Sequence, residues 1–114
     1  MAPPIALTLP LLPGQLAAWQ AFVLELHGPR AQQFAAHRQR VGLDTVHVFH
    51  QPTPQGDLVI WYMDGADPTG SFAKVAASTD AFDRWYVDQL EALHGISREV
   101  LAKVRRGKLA AGWG

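Results

Sequence analysis

The sequence predicts an α+β domain in which a β-α-β-β-α-β order builds one antiparallel sheet. Three observations point to it. Short β-rich runs occur at the start of the chain and, as a pair around a Pro/Gly turn, in its middle. The stretches that separate and follow them carry apolar residues at helical spacing. Turn and cap residues fall at the joins between these segments.

Ile5 to Leu11 is a short apolar run bounded by prolines and reads as the first strand. Pro13-Gly14 turns the chain. Trp19, Phe22, Val23 and Leu26 then share one helical stripe, and Phe34, His37 and Val41 resume it. A straight helix over residues 15 to 41 would be ~40 Å long, against roughly 20–27 Å for strands of about six to eight residues. A break is therefore expected. Gly28-Pro29 supplies it, with Gly at C′ of one helix and Pro at N1 of the next.

The runs Asp44 to Gln51 and Asp57 to Asp64 flank Pro52-Thr53-Pro54-Gln55-Gly56 and read as a hairpin. Asp67-Pro68 opens a helix from Ser71 to about Ser78. Thr79 or Asp80 caps a second, whose Phe82, Trp85, Tyr86, Gln89, Leu90 and Leu93 keep helical spacing up to Gly95. In the tail, Ser97 to Val104 suggests a helical turn and Lys108 to Trp113 a last strand. Together these elements give the split βαβ arrangement of ferredoxin-like domains. The expectation is a single domain over residues 1–114, with its core at about 5–95 and a C-terminal tail at 96–114.

Composition narrows the function classes. A chain of 114 residues is long enough for one core and too short for two. Ten basic and ten acidic side chains cancel, which is not the footprint of a general nucleic-acid binder. Half of the basic charge (Arg98, Lys103, Arg105, Arg106 and Lys108) sits in the tail, with no interleaved aromatic platform before Trp113, and reads as a solvated terminus. The absence of cysteine excludes disulfide and thiolate chemistry. The opening MAPPIALTLPLLPG has no basic start and is interrupted by proline, so it is not read as a secretory signal. No apolar run approaches the ~20 residues of a membrane span. The default expectation is a cytoplasmic protein with neither nucleic acid nor membrane as partner.

The hairpin's second run, DLVIWYMD, predicts a homodimer. Leu58, Ile60 and Tyr62 face one way, and Val59, Trp61 and Met63 the other. Helices on one side of a four-stranded sheet leave the other side bare, and a bare face carrying large apolar side chains needs a cover. A second copy is the simplest cover, since two-fold dimers are the commonest oligomers. The competing cover is the C-terminal tail.

With these elements in place the chain resembles the dimeric α/β-barrel superfamily. That group includes the antibiotic-biosynthesis and haem-degrading monooxygenases and the muconolactone isomerases. The resemblance is nearest to an uncharacterised domain family within it. It is carried by the hairpin TPQGDLVIWYMDGADP (Thr53 to Pro68) and by STDAFDRW (Ser78 to Trp85), and spans roughly residues 5 to 95. It implies two sheets packed across a dimer axis and a ligand cleft between sheet and helices. It implies no shared reaction. The chain contains no asparagine, which the better understood monooxygenase branches use, and that tells against quinone formation and haem degradation.

Five histidines carry most of the visible chemistry. His47 and His50 lie three apart on a predicted strand, so they point to opposite faces and cannot share one ion; no metal and no cofactor are expected. The motif LHG occurs twice, ending at Gly28 and Gly95, and each copy places a histidine in a last helical turn, where it can meet the C-terminal carbonyls and dipole. The catalytic candidates are His50, at the strand end beside the hairpin loop, and His94, at the end of the second helical layer. The ligand-binding candidates are these two with His47, Trp61, Arg84 and Trp85, which would supply aromatic walls and a charge for an acidic group. For the tryptophans the plain alternative is core packing, and for Arg84 solvation. The functional expectation is a small planar or cyclic metabolite bound in a sheet–helix cleft. Either a cofactor-independent isomerase, lyase or oxygenase acts there through a histidine acid/base, or a non-catalytic dimeric binding protein uses the same cleft.

Overall fold

The structure, a computed structural model, describes residues 2–105 and 107–114; Arg106 of the basic tail lies outside the described residues. Among these, four strands and five helices form in the order β1 (Ile5–Pro10), α1 (Leu16–His27), α2 (Ala31–Val41), β2 (Thr45–Thr53), β3 (Gly56–Asp64), α3 (Pro68–Ala77), α4 (Ala81–His94), α5 (Arg98–Lys103) and β4 (Gly107–Lys108). The fold is α+β, with one antiparallel four-stranded sheet in the order β2-β3-β1-β4. Because β3 runs antiparallel to both of its neighbours, β1 and β2 point the same way on either side of it.

Alternation along the strands sorts the sheet into two faces. Ile5, Leu7 and Leu9 of β1 and Val59, Trp61 and Met63 of β3 are buried together with Trp19, Phe22, Tyr86, Leu90 and Leu93 from the helices. The register puts Val46, Val48 and His50 of β2 on this same side, opposite Met63, Trp61 and Val59. The other face carries Ala6, Thr8, His47, Phe49, Leu58, Ile60 and Tyr62. No helix covers it among the described residues, and Phe49 remains 56% exposed there. Among the described residues the C-terminal tail does not serve as its cover either. Leu109 and Trp113 are themselves 61% and 93% exposed.

Caps explain most of the helix boundaries. Asp67 accepts a hydrogen bond from Gly70 N–H, with Pro68 in the first turn, and so starts α3 earlier than Ser71. Asp80, not Thr79, caps α4, accepting from Phe82 and Asp83 N–H. Ser97 caps α5 through Val100 N–H. Gly42 and Gly95 end α2 and α4 in the left-handed region, at φ 84° and 75°.

Three expectations are corrected. Gly28 breaks the first helical layer without left-handed geometry (φ −115°), and Pro29 lies outside α2, whose cap is Arg30. Toward the turn β2 runs two residues further and β3 one residue further than the Pro/Gly composition suggests, leaving Pro54-Gln55 as the turn; Pro52 is tolerated because β2 is an edge strand. The last strand is only Gly107–Lys108, and residues 109–113 do not extend it.

Candidate functional site

The break between α1 and α2 creates an elbow, and the elbow stands over the outer edge of β2. Between them lies a cleft of about 570 Å³. Its helical wall follows from spacing: Val23, Leu26 and His27 lie on one face of α1, and Ala31, Phe34 and Arg38 on one face of α2. Its floor is Trp61, in the middle of β3. The cleft wraps the edge strand, so both faces of β2 contribute, Val46 and Val48 from the helical side and Thr45 and His47 from the other. A mostly apolar concavity with a few polar groups is the usual composition of a small-molecule site.

Of the residues singled out from sequence, the structure brings His47 and Trp61 to this cleft. The other four lie elsewhere. His50 faces the helical side near the hairpin end, where its Nε2 is 2.7 Å from Asp57 Oδ1 and its ring is 5.8 Å from that of Trp19. Trp85 is half-buried on α4, packed on Phe22 and Phe82, with the Arg30 guanidinium 3.9 Å from its ring centre. Arg84, on the same helix, is exposed. His94 is buried, and its Nδ1–H donates to Pro10 O at 2.9 Å, while Nε2 has no partner among the described residues. Burial pulls its pKa down, only partly opposed by that bond, so the ring is neutral. The two LHG copies thus differ in role. His94 ties α4 to the end of β1, whereas His27 is exposed and lines the cleft.

Sequence reasoning missed a second constellation. Asp83 and His37, 1% and 2% exposed, meet at 2.6 Å between Oδ1 and Nδ1. Arg40 donates to both Asp83 oxygens, at 2.6 and 3.1 Å, and Ser78 Oγ–H donates at 2.6 Å. Burial opposes ionisation of Asp83, but bonds from Arg40, Ser78 and His37 outweigh it and hold its pKa down at about 2. Burial likewise lowers the pKa of His37, against the pull of Asp83. The pair is therefore a carboxylate accepting from a neutral imidazole. His37 also borders a small apolar space of about 40 Å³ beneath Trp61 and Tyr86, too small for a metabolite. Its ring lies among Phe34, Phe82 and Tyr86. This cluster clamps α2 to the first turn of α4. The signal for it was half visible: Asp83 holds the third position after the Asp80 cap, where an acid normally turns back to the cap N–H. No local spacing shows that it instead reaches across 46 residues to His37.

Among the described residues no group of three or more His, Cys, Asp or Glu side chains is arranged to hold a metal ion. Comparison with protein-family models, with curated proteins and with solved structures finds no match to this chain.

Proposed function

We propose that the protein binds a small planar or cyclic metabolite in the cleft between the α1–α2 elbow and β2. The observation that carries this reading is the cleft itself, which joins about 570 Å³ of space to the aromatic surfaces of Phe34 and Trp61 and to polar groups at its wall. Burial of an apolar ring supplies the affinity, at about 25 cal/mol per Å², and the polar groups fix its orientation. A second reading, acid/base catalysis of an isomerase, lyase or oxygenase type, is favoured by the imidazoles of His27 and His47 lining one cleft. The test is a thermal-shift screen against a broad metabolite collection. A ligand at a hundred times its Kd adds about 2.7 kcal/mol, or roughly 10 °C for a domain of this size. If no compound stabilises the protein, the reading fails.

The fold belongs to the same proposal. A split βαβ pattern with the order β4-β1-β3-β2 supports a ferredoxin-like domain. The uncovered face with Phe49, Leu58, Ile60 and Tyr62 supports pairing with a second copy as a dimeric α/β barrel. Such an interface is expected to bury about 1,200–2,000 Å² in total. Light scattering at micromolar concentration should return a dimer mass, and Ile60→Lys should return a monomer. A monomeric wild type with an intact fold would remove the dimer.

A further inference from the structure

Three arginines sit in or beside α2, and two are engaged within the protein. Arg30 bonds to Glu25 and Gln33 and covers Trp85. Arg40 bonds to Asp80 and Asp83. Arg38 is the third. It lies half-buried in the cleft wall, its guanidinium carbon 4.8 Å from the Phe34 ring centre. Among the described residues it has no side-chain hydrogen bond and no ion pair, not even with Asp44, the one acid that lines the cleft.

We propose that the cleft takes a planar ring bearing a carboxylate, the ring against Phe34 and Trp61 and the anion on Arg38. The inference rests on the cleft being a ligand site and adds the class of ligand. A guanidinium lying over an aromatic ring keeps a planar edge of N–H donors for a partner, and that edge matches the two oxygens of a carboxylate. Its half-buried position leaves the attraction less screened than on an open surface. His27, on the helical wall, and His47, on β2, add imidazoles to the cleft, where Asp44 is the one acid. A neutral ring would leave the Arg38 donors to water. An acid without a ring would gain nothing from the half-buried apolar lining of Phe34, Val46 and Val48. Only the combination uses both surfaces.

The experiment uses the uniformly ¹⁵N-labelled full chain, with benzoate, benzamide and acetate as probes. Benzoate is isosteric with benzamide and differs in charge; acetate keeps the charge and lacks the ring. The indole N–H signal of Trp61, assigned by its loss in Trp61→Phe, reports occupancy, together with the amides of Ala31, Phe34, Arg38 and Val46. Benzoate should move these signals and bind at least tenfold more tightly than either other probe, a gap of about 1.4 kcal/mol or more. Arg38→Gln should close the gap between benzoate and benzamide. Arg38→Lys, which keeps the charge and loses the fork, should fall between. If benzamide matches benzoate, or Arg38→Gln leaves benzoate binding within twofold, the carboxylate assignment is overturned while the ligand cleft stands. If no probe moves the cleft signals, the carboxylate assignment is overturned, and the ligand cleft falls with it only if the broad metabolite screen is empty as well.

Discussion

Replacing Asp83 by Asn tests the buried clamp between α2 and α4 with almost no change of shape. The wild-type carboxylate accepts from His37, Arg40 and Ser78, all at hydrogen-bonding distance. An amide at that place keeps one acceptor oxygen and sets an NH₂ group against partners that are donors. Breaking a fully buried pair costs about 3–5 kcal/mol, but Arg40 is 37% exposed and can regain water, which moves the expectation down to about 2–4 kcal/mol. The depressed pKa of Asp83 reflects the same contacts. Its carboxyl is held at about 2 rather than 3.8, which corresponds to roughly 2–3 kcal/mol. Because the folded-state pKa is depressed, this stability is fully present above pH 3.8 and is lost as pH falls through that value towards 2. An unfolding entropy of about 2.1 cal/mol/K per residue makes 1 kcal/mol worth about 4 °C here, so the variant should melt roughly 8–16 °C below the wild type near neutral pH. Circular dichroism melts of both proteins, taken from about pH 7 down to about pH 2.5, should show that gap closing below pH 3.8. A neutral-pH difference under about 0.5 kcal/mol, or a gap that persists unchanged in acid, would rule out the clamp.

The remaining expectations follow the same contacts. His37 and His94 have folded pKa values lowered by burial, so the unfolded chain takes up their protons first; the urea midpoint should fall as pH drops from 6.5, and a flat or rising midpoint there would be inconsistent with both burials. His94→Ala loses packing and the bond to Pro10 and should cost about 1.5–3 kcal/mol in urea denaturation, more than the 0.3–1 kcal/mol of a helix-dipole contact alone. Trp61→Ala, at the floor of the core, should cost about 3–5 kcal/mol, whereas half-buried Trp85 should cost clearly less on the same substitution; equal losses would contradict the packing described. Exposed Arg84→Ala should stay within about 0.5 kcal/mol of the wild type.

Features that depend on near neighbours were legible in the sequence. Period-two alternation in DLVIWYMD placed Val59, Trp61 and Met63 on one face and Leu58, Ile60 and Tyr62 on the other, as the register shows. Gly28, Asp67, Asp80 and Gly95 marked helix ends because caps and breaks are satisfied within a few residues. The opposite facing of His47 and His50 followed from strand geometry alone. Tertiary structure decided everything that requires two distant segments to meet. Whether Asp83 turned to its own cap or to His37 depended on where α2 lies over α4. Docking of distant elements also buried His94 against Pro10, left His27 at the cleft, set Arg30 over Trp85 and gave Arg40 its partners, while Arg38 has none among the described residues. Spacing along one element fixes which side chains share a face. Only the docking of elements fixes what that face meets, because the energy that chooses it comes from contacts between residues far apart in the chain.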